Sequence, residues 1–97
     1  MKEENNEMTQ VDAAMLKIAN AVRDNDYTLT LKTPTTVTFN YIDDNGDEAD
    51  SEATVMRLTY DAYDGEIYAV TDHEFFKEIP LGSLWNSSIK AIANFAI

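Results

Sequence analysis

The 97 residues include 18 acidic and 7 basic side chains, a formal net charge of −11, and no cysteine. The length suits one domain, and the missing cysteines exclude disulfides, thiolate zinc sites, iron–sulfur clusters and cysteine nucleophiles. Phosphate surfaces are repelled, because Lys2, Lys17, Arg23, Lys32, Arg57, Lys77 and Lys90 are dispersed and neutralising phosphates takes clustered cations.

A chain of this size buries roughly 65% of the surface its unfolded form exposes, and 44% hydrophobic content can fill the resulting core. The opening residues MKEENNEM are polar and read as a disordered tail over residues 1–8, with the domain spanning 9–97. They offer no apolar run for a signal peptide, and no stretch approaches the roughly 20 apolar residues that span a bilayer. The expectation is a cytoplasmic protein that touches neither membrane nor nucleic acid.

Thr9 is the expected helix N-cap, with Asp12 as the capping acid. Val11, Ala14, Met15, Ile18, Ala21 and Val22 then recur at helical spacing as a core-facing stripe. The helix should end near Asp24–Asp26, with Asn25 in the left-handed conformation.

From Tyr27 the period becomes two, predicting a strand to Lys32, a break at Thr33-Pro34-Thr35, and a second strand over Val37–Ile42. A hairpin between those two runs is expected. A further strand covers Ala53–Tyr60, with Met56, Leu58 and Tyr60 on one face, and another covers Glu66–Thr71. Tyr63-Asp64-Gly65 between them suits a three-residue loop with Gly65 at positive φ. That loop pairs Tyr60 with Tyr68 and Leu58 with Val70; a two-residue loop would pair Tyr60 with Ala69.

Residues 72–81 read either as a short helix from Asp72 or as a strand over Phe75–Ile79 ended by Pro80, the strand being favoured. From Ser83, the expected cap, helical spacing returns, with Trp85, Ile89, Ile92, Ala93 and Ala96 on one face. The fold class is α+β: an N-terminal helix, an antiparallel meander of four or five strands, and a C-terminal helix packed on one sheet face.

The segment between the Val37 and Ala53 strands is the one motif-like feature. Counted from Tyr41, the residues Asp43, Asn45, Gly46, Asp47 and Glu52 fall on positions three, five, six, seven and twelve of a calcium-binding loop. Tyr41 stands where a carboxylate belongs, and strands flank the segment in place of the required helices. Asn45-Gly46 is also a strong hairpin signal. The favoured reading is a wide solvated turn, with a weak calcium site as the lesser alternative.

No catalytic residue is assigned. His73 is the single histidine, it has no nucleophile context, and no glycine-rich phosphate loop exists. The expected protein is non-enzymatic, needs no cofactor, and works through protein–protein contacts. Asp43, Asp44, Asp47, Glu48, Asp50, Glu52, Asp61 and Asp64 are its candidate interaction residues. Such charge suits a basic partner; the more specific alternative is an acidic inhibitor that mimics DNA. Tyr27, Tyr41, Tyr60, Tyr63 and Tyr68 exceed what so small a core can bury, and offer a surface for a homodimer.

The closing run IYAVTDHEFFKEIPLGSLWNSSIKAIANFAI resembles the tails of short uncharacterised acidic bacterial proteins, in which a strand and an I-P-L-x-x-L step lead into a final helix. The resemblance implies no activity, cofactor or site.

Overall fold

Helix α1, Asn6–Asp24, is amphipathic, and Ala14, Ile18 and Val22 are its buried positions. The computed structural model describes residues 6–97; the expected tail over 1–8 therefore lies partly outside the described residues. The helix starts before Thr9, so Thr9 sits inside it rather than at its N-cap position. Its C-terminus is a Schellman motif: Tyr27 N donates to Val22 O at 2.8 Å and Asp26 N to Arg23 O at 3.2 Å. The left-handed residues are Asp26 and Tyr27, at φ 60° and 67°. Asn25, expected to take that role, turns its amide back onto Ala21 O at 2.8 Å.

Four strands follow, β1 Thr28–Ile42, β2 Glu48–Asp61, β3 Glu66–Thr71 and β4 Glu78–Pro80, paired in sequence order as an antiparallel sheet. The hairpin expected at Pro34 is absent. Both halves of β1 pair with β2, Thr28–Thr30 against Thr59–Arg57 and Thr35–Ile42 against Val55–Glu48. Residues 31–34 bow out opposite Met56. Pro34 is tolerated there because β1 is a sheet edge and the bowed segment requires no ladder N–H.

Met56 is also extra with respect to β3, since Val55 faces Thr71 and Arg57 faces Val70. This bulge reverses the strand's faces. Ala53 and Val55 point inward before it and Leu58 after it, while Met56 is exposed rather than sharing a face with Leu58.

The β2–β3 turn is one residue longer than expected. Asp61 faces Glu66, Tyr60 faces Ile67 and Leu58 faces Ala69, leaving a four-residue loop Ala62–Gly65. Gly65 does hold positive φ, 74°, and its N–H donates to Asp61 O at 2.8 Å. Asp61 Oδ1 accepts from Tyr63 N and Asp64 Oδ1 from Glu66 N, at 2.8 and 3.0 Å. These side-chain bonds satisfy the longer turn, so neither anticipated register forms.

In the 72–81 stretch the strand reading holds at Glu78 and Ile79 only, and Pro80, expected to end the strand, is its last residue; residues 72–77 form a loop and Leu81–Ser83 a 3₁₀ turn. Helix α2, Asn86–Ala91, begins after Trp85 rather than at Ser83 and runs into a π-helical segment, Ile92–Ala96. Leu84 bridges Phe39, Trp85 N donates to Thr38 O at 2.9 Å, and Ser88 Oγ accepts from Thr38 N at 3.0 Å. The edge of β1 is thereby partly closed by the chain itself. Both helices bury their apolar sides in one core with the inner sheet positions Val37, Phe39, Val55, Leu58 and Ala69. Trp85, expected among the buried residues, is 48% exposed.

Candidate functional site

The acidic segment is structured rather than wide. Asp43 N donates to Asp47 O and Gly46 N to Asp43 O, at 2.9 and 3.0 Å, with Gly46 at φ 84°. This is a type I turn closed by a left-handed glycine, the three-residue hairpin that Asn-Gly suits. Asp43 Oδ1 accepts from Asn45 N and Asp47 N, at 2.9 and 3.0 Å, so the turn itself occupies that oxygen. From Glu48 onward the segment is strand, with Ile42 facing Glu48 and Thr38 facing Glu52. Glu52 therefore sits about 13 Å beyond Glu48 along β2, away from the Asp43–Asp47 turn. Among the described residues, no group of three or more His, Asp or Glu is placed to share a metal ion.

Alternation along β2 decides where the other carboxylates point. Ala49, Ser51 and Ala53 turn toward the core side, whereas Glu48, Asp50 and Glu52 stand exposed on the outer face. On that face Asp50 Oδ1 accepts from Asn40 Nδ2 at 3.2 Å and from the Trp85 indole N–H at 3.4 Å. Asp61 and Asp64 lie at the far end of β2, in the other turn. The structure thus divides the candidate interaction residues into two groups, one at each end of the sheet.

The second group surrounds Tyr68. Its hydroxyl donates to Asp64 Oδ2, and its pKa is pushed up from 10.0 to about 12. The hydrogen bond to Asp64 is the main cause, followed by desolvation and the charges of Asp64, Glu66 and Asp61. With the folded value above the unfolded one, the linked stabilisation is complete below pH 10 and disappears as pH rises through about 12. In an alkaline phenolate titration, Tyr68→Phe should remove a phenolate step at about pH 12. An unchanged step there would show that Tyr68 does not carry it.

The tyrosines do not form a single face. Tyr63 is 97% exposed at a turn tip, and Tyr27 and Tyr60 pack as a tilted pair, ring centres 5.4 Å apart, where α1 meets the sheet. Tyr41 belongs to a different cluster, at the other end of the inner face.

There the 72–77 loop folds over the β1–β2 hairpin. Phe76 lies 5.3 Å from Phe39 and 5.1 Å from Tyr41, ring centre to ring centre. His73 organises the loop: its Nδ1 accepts from Phe75 N and Phe76 N, at 3.0 and 3.1 Å. Those two donors place the neutral ring's proton on Nε2, which faces Ser51 Oγ at 3.4 Å. In that tautomer Nε2 donates to the hydroxyl and does not take its proton, the opposite of what a serine nucleophile needs. Thr71 Oγ1 donates to Phe76 O and Asp72 Oδ1 accepts from Thr54 N, at 2.8 and 2.9 Å, tying down both ends of the loop. Between hairpin and loop lies an open cleft of about 620 Å³, lined by Tyr41, Ile42, Ser51, His73, Phe75 and Phe76.

The cleft was not anticipated from sequence. Its one legible signal is the Phe75-Phe76 pair: on a short loop two adjacent aromatic rings cannot both reach the core.

Compared with protein-family models, curated proteins and solved structures, the chain gives no match. No described helix is long and apolar enough to cross a membrane.

Proposed function

We propose that this protein is non-enzymatic and acts by protein–protein contact, using the outer face of the β1–β2 hairpin to hold a basic partner. The supporting observation is the register that sets Glu48, Asp50 and Glu52 side by side on one exposed face. Successive carboxylates are about 7 Å apart, two strand residues. An extended segment with Lys or Arg at alternate positions has the same repeat. Trp85 beside Asp50 adds a half-exposed indole, a side chain enriched where interfaces concentrate their energy.

The same spacing favours the more specific reading of an acidic inhibitor. Carboxylates about 7 Å apart on one exposed face would offer a groove built for phosphates a row of negative charges. Pairing with a second copy is weaker in physical support, because each chain carries a charge of −11. A calcium role ranks below both, since Asp43 Oδ1 is held by turn amides and Glu52 lies up the strand.

An arginine-rich peptide titrated into labelled protein at low salt tests the reading. Amide shifts should map to Glu48, Asp50, Glu52 and Trp85, and weaken steeply as salt rises. The triple change Glu48→Gln, Asp50→Asn, Glu52→Gln should reduce affinity about tenfold, as three partly exposed ion pairs together imply. Unchanged affinity in that variant, or shifts confined to other surfaces, would reject this face as the contact.

A further inference from the structure

We propose that the cleft between the β1–β2 hairpin and the 72–77 loop is a receptor for a cationic side chain, arginine or lysine, of the basic partner. This rests on the reading above and adds a second, chemically different contact on the opposite side of the same hairpin.

The cleft walls are aromatic. Tyr41 and Phe76 are half-buried and set by their packing on Phe39, so their positions are fixed by the core rather than by a ligand. Phe75, 77% exposed, and Ile42, 62% exposed, line the opening. Two large apolar side chains held in water beside one opening form the kind of patch that marks a binding surface. The loop hydrogen bonds hold the backbone at Phe75, whose N–H donates to His73 Nδ1.

The rim selects the sign of the ligand. Asp43 and Asp44, from the hairpin turn, line the same opening. One oxygen of Asp43 is occupied by turn amides, and Asp44 is exposed. An anionic group would meet two carboxylates, and a small metal ion would meet apolar walls. A guanidinium or ammonium on an aliphatic stem satisfies both parts. The stem lies along Ile42 and Phe75, the cation meets the Tyr41 or Phe75 ring face, and the carboxylates remain solvated beside it. Arginine suits the site better than lysine, because its planar, weakly hydrated head stacks on rings.

The test compares N-acetyl-arginine methylamide with its citrulline counterpart, which has the same shape and no charge, by NMR titration of the full chain. The arginine compound should shift Tyr41, Ser51, His73 and Phe75, and the citrulline compound should bind at least several-fold more weakly. Phe75→Ala and Asp44→Asn, both at exposed positions, should each weaken arginine binding about two- to fivefold. Equal binding of citrulline, or arginine shifts that avoid the cleft, would overturn the proposal. The outer-face triple variant separates the two readings. Cleft binding of the arginine compound should survive it, and peptide shifts that persist only at Glu48, Asp50 and Glu52 would sink the cleft while leaving the outer face standing.

Discussion

Phe39→Ala should lower stability by about 3–5 kcal/mol, the usual cost of removing a fully buried phenylalanine. Phe39 is 1% exposed and among the largest fully buried side chains. It lies where three elements meet. Its backbone bridges Leu84 ahead of α2, and its ring packs on Tyr41, His73 and Phe76 at 6.2, 5.6 and 5.3 Å. Truncation would therefore leave a cavity between the sheet and the 72–77 loop. A domain of this size has about 5–15 kcal/mol in total, so the change removes a large share. At about 4–8 °C per kcal/mol, the thermal midpoint should fall by about 12 °C or more. Phe95→Ala is the control. That ring is 79% exposed, and its loss should stay within about 0.5 kcal/mol. Similar losses in the two variants would mean that Phe39 is not the keystone its burial indicates.

That contrast also shows what the sequence can and cannot reveal. Phe39 and Phe95 are the same residue type, each in a plausible apolar pattern. Helical spacing correctly marks Ala14, Ile18, Val22, Ile89, Ile92 and Ala93 as buried, because a stripe at that period has one natural way to face a core. It misplaces Trp85, which is the extended N-cap residue ahead of α2, and leaves Phe95 beside the stripe, where α2 has given way to a wider π-helical segment. The angular positions of its residues then depart from the ideal helix.

The strands were legible as strands but not in their pairing. A period of two identifies Leu29, Leu31, Val37 and Phe39 as inward whether β1 continues or folds back at Pro34. Only the length of β2, which reaches far enough to pair both halves, decides for continuation. Likewise Gly65 announces a left-handed turn residue, yet the loop length depends on Asp61 and Asp64 accepting backbone N–H groups. A one-residue difference in that turn moves every partner in the ladder. The Met56 bulge has no local signature, because Val55, Met56 and Leu58 are all apolar and a regular strand with Met56 and Leu58 inward fits the same residues.

The acidic segment illustrates the same limit for function. Its charge was evident, but its grouping was not. Strand alternation collects Glu48, Asp50 and Glu52 on one face, while the unbroken run of β2 carries Asp61 and Asp64 to the other end of the sheet. Ser51 and His73 are 22 residues apart in sequence and meet only because β2 and the loop after β3 converge.

Three substitutions at His73 should separate the ring's two contributions to the cleft. His73→Ala should cost about 2–3 kcal/mol, combining an aromatic contact with Phe39 and Phe76 and a lost acceptor for a half-buried amide. The Phe76 N–H is the costly one, because it is partly buried, whereas the Phe75 N–H can be reached by water. His73→Asn places a carbonyl oxygen near the position of Nδ1, able to accept from the amides two and three residues on. It should keep the loop's hydrogen bonds and lose only the ring packing. His73→Phe should do the reverse, retaining apolar area while leaving both N–H groups without their acceptor. Amide hydrogen exchange at Phe75 and Phe76 provides the readout beside urea denaturation. Exchange should be fast in the Ala and Phe variants and remain slow in the Asn variant, even where overall stability is similar. If the Asn variant exchanges as fast as the Ala variant, side-chain acceptance at position 73 is not what holds the loop amides.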